Sequence, residues 1–490
     1  MRIAATTLMC LSLVMFAGGC NSEAPTTEPQ AAQTQVPAKP SFQGIKLKVA
    51  ALEDPAMAQI AADLIGEWQA STGGEVEIIT NSASGAQGEI DPAVDIWLVR
   101  GQKLGELIDK DAIEPLGDLN ADWTKRPPVF ESMVTRYGPD RFGVPLGTRM
   151  LVLVYRESTF KSPANIETMK QAGLVFPPRT WDDFDKLVAA LKKSAPGVLA
   201  LPTMADANDH LSLDIFLARA TATGKHRDHF SFLFSSETME PRIAGVPFSD
   251  SLIALAALKP PGNLTPSQAR AAFRDGQANL LIDYAENASK WARPEEQSKI
   301  GVVALPGSLR VFEPDRKAYD KMESVQPSTY LPGGGGYLAV LARGRKKEFL
   351  PAAKDLLVYL ASDSTAISWA ADQRMTLCPT RDAMLAAGFV DPRIAPKVEG
   401  GAWGEAVLSQ IAGENPVVGL RIPQSAEFLA ELESAVIAGL GGKPAGAELE
   451  IAAKKWKQRV AAFGPQRLKW HYRRSLVRPV TDAQAPPPGQ

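Results

Sequence analysis

Cysteine is scarce in this chain: three in 490 residues, at positions 10, 20 and 378. Cys10 falls in an N-terminal apolar run and Cys20 closes it, so Cys378 has no partner and no intramolecular disulfide is expected. Between apolar residues and a proline (MTLCPT), Cys378 reads as a small buried hydrophobe. Histidine is as rare, with four residues. His226 and His229 are three apart, but no cysteine or carboxylate cluster beside them completes a ligand set, so both are read as surface residues and no metal or cofactor is expected. The net charge of −2 exerts no pull toward nucleic acid. Aromatics make up 7%, so a long groove with many stacking platforms is not demanded. The sequence also lacks a Gly-x-Ser-x-Gly elbow and a recognisable pair of catalytic carboxylates. The four glycines at 333–336 are not followed by Lys-Ser/Thr, so they are no phosphate loop.

Long hydrophobic runs are missing too. Beyond residues 8–16 (LMCLSLVMF) no stretch reaches the eighteen apolar residues of a membrane span. That run follows Met1-Arg2 and leads through Ala17-Gly18-Gly19 into Cys20, the layout of a cleaved export signal. A small-residue run ending in Cys resembles a bacterial lipoprotein signal, with Ala17 where leucine is usual, which implies lipidation of Cys20. Residues 20–41 are rich in Pro, Thr, Gln and Ala and cannot bury enough surface to offset chain entropy, so they read as a flexible tether. Asn21 rather than Asp after the cysteine leaves either membrane face open.

The body, from about residue 42 to 463, is too long for one ordinary core and predicts two lobes. IKLKVAAL opens as a strand, residues 56–68 have helical periodicity, and EVEIIT and AVDIWLV are further strands. This succession predicts a parallel α/β unit. MLVLVY is a continuous apolar strand of a sheet covered on both faces. Thr180, with Asp183 three places on, predicts a capped helix start. From residue 211 helices dominate, interrupted by strands in ANLLIDY, KIGVVAL and YLAVL. The tail after Gly464 carries five Lys/Arg from Arg467 to Arg478 and ends in PPPGQ. It reads as solvated chain.

The order of segments resembles the extracellular solute-binding proteins of ABC importers, the sugar-type family that includes maltose-binding protein. The likeness lies in VDIWLVRGQKLGELIDKDAIEPLGDL, GVPLGTRMLVLVYRESTF, FPPRTWDDFDKLVAAL, AAFRDGQANLLIDYAENASKW, KIGVVALPG and the glycine-containing return strand GGGGYLAVL. The family's loop of Asp-Gly and an aromatic is replaced by Asp283-Tyr284-Ala285-Glu286, and residues 312–332 form a longer excursion than usual. The resemblance implies an α/β, two-lobed, type II periplasmic-binding fold with a hinge and an interlobe cleft. It divides the chain into a signal (1–19), a tether (20–41), the first part of lobe 1 (42–155), mostly lobe 2 (156–335), a return to lobe 1 with C-terminal helices (336–463) and a basic tail (464–490).

Ligands in such sheets bind at strand carboxyl ends. Residues suited to a sugar there are Glu53, Asp54, Trp97, Arg100, Thr148, Arg149, Asp206, Asp283, Tyr284, Gly335, Gly336 and Trp403. Trp97 reads equally well as core. Trp403, in GGAWGE, is assigned a ligand or lid role. The implied function is a lipid-anchored, monomeric, extracytoplasmic receptor that does no chemistry. It captures a small polar solute, a carbohydrate foremost, for an ABC permease. A solute sensor of the same fold and a lipoprotein saccharide hydrolase are the alternatives.

Overall fold

The computed structural model describes residues 40–477 except 80–89, 120, 193–196, 207–208, 228, 261, 294–295, 297–298, 387–393, 395–401 and 414. The signal, Cys20 and nearly all of the tether therefore lie outside the described residues. Residues from Ser41 onward form one compact unit.

That unit is built on two sheets. The chain enters through β1 (Lys46–Ala51), helix α1 (Pro55–Thr72), β2 (Glu75–Ile79), β3 (Ile96–Arg100), α2 (Leu104–Asp109) and β4 (Gly143–Gly147). It crosses at residues 148–150 into β5 (Leu151–Arg156), α3 (Trp181–Lys192), β6 (Leu199–Ala200), α4 (Leu211–Gly224), α5 (Val246–Leu258), β7 (Leu280–Tyr284) and β8 (Ile300–Val303). A hairpin, β9 (Ser308–Glu313) and β10 (Ala318–Gln326), precedes the return strand β11 (Tyr337–Leu341). Helices α6 (Ala402–Ile411), α7 (Ser425–Leu440), α8 (Ala445–Phe463) and α9 (Pro465–Ser475) complete the chain.

The first sheet has the order β2-β1-β3-β11-β4 and the second β8-β5-β7-β6. Pairing is parallel in β2-β1-β3 and antiparallel around β11. The expected parallel unit of the first three strands is present; β11 returns from the other lobe and pairs with β3 antiparallel. In β5, Leu151, Val152, Leu153 and Val154 are all buried. Helices α4 and α6 both pack against this strand, which is why its sequence shows no alternation. The predicted cap is present: the Asp183 amide donates to Thr180 Oγ1 at 3.1 Å. Trp181, Trp369 and Cys378 are buried.

Four expectations are corrected. Strand β5 belongs to the second sheet, so the first lobe ends at the 148–150 crossover rather than at residue 155. Helices α7 and α8 do not return to lobe 1; they pack on α4 and α5, and Phe428, Leu432 and Trp456 join the second lobe's core. His226 is buried and His229 partly so, because the hairpin β9–β10, the long excursion seen in the sequence, covers them.

The fourth correction concerns the basic tail, which begins as the ordered helix α9. Its Leu468, His471, Tyr472 and Ser475 are buried. His471 pairs with Tyr137 Oη and Asp109 Oδ1 of the first lobe, both at 2.9 Å. The Tyr472 hydroxyl accepts the amides of Phe232 and Phe234 of the second lobe at 3.1 and 3.3 Å. Buried Arg421 fastens the helix further by donating to the Val134 and Ser475 carbonyls. Arg467, Lys469, Arg473 and Arg474, which read as solvated, are partly buried on a helix that touches both lobes and pair with Asp109, Glu237 and Asp140, while Arg478 lies outside the described residues.

Candidate functional site

A cavity of about 270 Å³ lies where the two sheets meet. It is lined by Arg100 at the end of β3 and Gln102 just after it, Arg149 at the crossover, and His210, Leu213 and Asp214 at the start of α4. Tyr330, Gly333, Gly336 and Tyr337 on the return path and Ala426, Leu429 and Ala430 of α7 complete the lining. A cavity of this size sits just below the roughly 300–1,000 Å³ of most small-molecule sites. A second cavity of about 280 Å³, near Phe230, Val418 and Tyr472, gathers fewer charged groups.

The charged residues around the first cavity come in pairs. Arg100 Nη2 lies 3.5 Å from Asp54 Oδ2, and its guanidinium sits over the Tyr337 ring. Arg149 Nε donates to Glu286 Oε1 at 3.0 Å, and the guanidinium rests 3.7 Å from the centre of the Tyr284 ring. His210 Nδ1 is 2.8 Å from Glu433 Oε2. The Tyr284 hydroxyl donates to Asp214 Oδ2 at 2.6 Å.

Burial pushes the Glu286 carboxyl up to about 7 against the pull of Arg149, and pushes Asp214 up to about 6 against its bond from Tyr284. The bond to Glu433 raises His210, against burial. The lining itself carries Arg100, Arg149, His210 and Asp214; the carboxylates that balance the two arginines and the histidine, Asp54, Glu286 and Glu433, stand behind it. Three buried polar atoms of this neighbourhood, Arg100 Nε, Asp209 Oδ1 and Glu433 Oε1, have no hydrogen-bond partner. Such atoms are costly unless a guest or water satisfies them.

The glycine run shapes one wall. All four glycines have positive φ. Gly336, at φ 116° and ψ −147°, occupies a region open only to glycine. A Cβ there would lie 2.3 Å from the Gly147 carbonyl oxygen, and its own carbonyl accepts the Gly101 amide at 2.7 Å. The run is therefore a close backbone contact between β3, the crossover and the return strand.

Of the residues singled out in the sequence, Arg100, Arg149 and Gly336 line the cavity. Asp54 stands behind Arg100. Tyr284 is fully buried beneath Arg149. Thr148 and Gly335 bond to each other, hydroxyl to carbonyl, at 3.1 Å and brace the crossover. Glu53 pairs with Lys103 at 2.6 Å and does not line the cavity; neither does Asp206.

Three residues belong elsewhere. Trp97 is core, fully buried in the middle of β3. Asp283 is also fully buried, held by Arg270, Asn287 and Trp291. Trp403 is no lid: it sits in helix α6, 2% exposed, and donates from Nε1 to the Ala285 carbonyl at 3.0 Å. The sequence reading missed Gln102, Asp214, Tyr330, Tyr337, Glu286 and Glu433 as site groups. Tyr337 carried a signal, since it opens a strand directly after the glycine run.

Residues 66–395 match the family described as bacterial extracellular solute-binding protein. Comparison with curated proteins returned no match. Among solved structures, the chain resembles an ABC transporter solute-binding protein from Agrobacterium radiobacter K84 in complex with ribitol. The TM-score is 0.59 at 17% identity, covering 86% of this chain and 100% of that one. One from Agrobacterium vitis S4 with bound D-mannitol gives 0.54 at 15%, covering 86% and 99%. A cyclo/maltodextrin-binding protein complexed with maltotetraose gives 0.58 at 17%, covering 85% and 97%. At these identities the likeness establishes the two-lobed fold.

Proposed function

Because this chain belongs to the bacterial extracellular solute-binding proteins, we propose that its interlobe cavity captures a small neutral polyhydroxy solute, a monosaccharide or polyol, for an ABC importer. The observation that carries this reading is that Arg100, Arg149 and His210 of the lining are each already held by a carboxylate behind them, with buried donor and acceptor atoms close by that lack a partner. Sugar hydroxyls both donate and accept, so they satisfy such a mixed set without bringing charge into it. A sugar acid would have to compete with Asp54 and Glu286 for Arg100 and Arg149, each of which already has a carboxylate partner. The cavity volume suits one ring or one short polyol better than a long oligosaccharide. The ribitol- and mannitol-bound relatives support the same class.

Thermal unfolding of the purified chain against polyols, monosaccharides, maltodextrins and sugar acids tests it. A ligand at a hundred times its Kd should add about 2.7 kcal/mol to native stability and raise the midpoint by a few degrees. A rise with polyols or monosaccharides alone supports the reading. A rise only with acids or maltodextrins, or none at all, refutes it.

Export fits the family, and within this proposal lipidation of Cys20 tethers the receptor to the membrane. Intact mass of the detergent-extracted chain checks this: a mature species starting at Cys20 with added acyl mass is expected, and an unmodified chain would exclude the anchor.

A further inference from the structure

We propose that His226, His229 and Glu313 form a binding site for a divalent transition-metal ion of the zinc class, away from the solute cavity. One donor atom from each lies within 4.8 Å of the others. The two histidines sit in the turn that ends α4, where the His229 amide bonds the His226 carbonyl at 3.1 Å. Glu313 arrives from the end of β9, more than eighty residues later. Its carboxylate stands 3.0 Å from His229 Nε2 and 3.7 Å from His226 Nδ1. Two imidazoles and a carboxylate are the donor set of many zinc sites, with the fourth position left to water.

Two of the three donors are also aimed from behind, and the turn that carries the third is fastened. The other ring nitrogen of His226, Nε2, faces Asp320 Oδ2 at 3.5 Å, the carboxylate–histidine arrangement that orients a metal-binding imidazole. Glu313 Oε1 accepts the Asp315 amide at 3.0 Å. Lys225 Nζ bonds the His229 carbonyl and holds Asn415 Oδ1 at 2.7 Å, which fixes the turn. Gln326 at the end of β10 donates to the Lys225 carbonyl at 2.7 Å, so hairpin and turn are already in register.

Bonds of about 2.1 Å place tetrahedral donors roughly 3.4 Å apart. A pair as wide as 4.8 Å must therefore close by about 1.4 Å, a movement that falls to the more exposed His229. A bound ion would clamp the hairpin onto the end of α4, the helix whose other end presents His210 and Asp214 to the solute cavity.

The test is isothermal titration of the chelator-stripped, purified full chain with ZnCl₂, repeated with Co²⁺ as a spectroscopic probe. One Zn²⁺ per chain, a rise in melting temperature and the visible bands of a low-symmetry Co²⁺ site are expected. H229Q should lose that site while still melting cooperatively. D320N should weaken it roughly 10- to 100-fold. E313Q should lose it as well; if that variant fails to fold, H229Q alone decides. Absence of a stoichiometric Zn²⁺ site, or equal binding by the wild type and H229Q, overturns the proposal. The outcome is independent of whether the cavity binds a polyol.

Discussion

Arg149→Ala should cost about 3–5 kcal/mol of folding stability at pH 8, read by urea denaturation, because it strands a buried carboxylate. Glu286 has a side chain only 2% exposed, and Arg149 is its ion-pair partner. The cost should shrink toward pH 5. The sign follows from proton binding. The folded carboxyl, raised to about 7, keeps its proton in a window where the unfolded chain, near 4.3, has lost it. The native state binds more protons there, so the Glu286 contribution to stability falls as pH rises from about 4 to about 7. Without Arg149 the folded carboxyl moves still higher, so the fall steepens and extends above neutrality. Arg149→Ala/Glu286→Gln should recover much of the loss at pH 8, since a neutral amide is cheaper to bury than an unpaired charge. If the single variant loses the same amount at pH 5 and pH 8, the cost lies in packing on Tyr284 rather than in charge.

Gly336→Ala should damage the site more than any substitution that leaves its polar groups in place. Backbone strain at this φ/ψ is about 1–3 kcal/mol, and the 2.3 Å approach to the Gly147 carbonyl adds a collision. The wall has to move, which carries Tyr337 and the bond to Gly101 with it. Solute affinity should fall at least tenfold, measured by titration calorimetry with the ligand found in the thermal panel. Gly333→Ala supplies the contrast for stability: its φ of 60° is left-handed but no atom lies within 4 Å of the added Cβ. It should cost about 1–2 kcal/mol. Equal losses of stability in the two variants would mean that the close contact at Gly336 is not what holds the wall.

Much of the fold was legible because strand and helix periods are local. The apolar run of β5, the capped start of α3 and the return strand after four glycines all announced themselves within ten residues. Arg100 and Arg149 were legible as site groups for a related reason: they flank strand ends, and strand ends meet at the centre of such folds. Asp214, Tyr330 and Glu433 were not, because two of them sit on helices and their convergence depends on how those helices dock. The tryptophans misled in the opposite direction. Trp403 lay among glycines and looked like a loop residue, yet the segment coils into a helix whose apolar face lies on the second sheet. An indole's area counts for more in a core than its flanking residues reveal. The histidine pair was misread because its carboxylate partner is separated from it by a long stretch of chain, a proximity that spacing does not encode.

Helix α9 bonds to Asp109 and Tyr137 on one side and to the 232–236 segment on the other, so the two lobes share a mechanical link beside the chain crossings. Any rotation that opens the cavity must bend, slide or release this link. Its energy therefore enters the balance between open and closed forms, and through that balance the observed affinity. Under the proposed function, selectivity is written in the cavity wall, whereas affinity can be set at Tyr137, His471 and Tyr472, none of which lines it. A lineage could retune how tightly it holds a solute, to suit scarce or plentiful supply, without altering which solute it accepts.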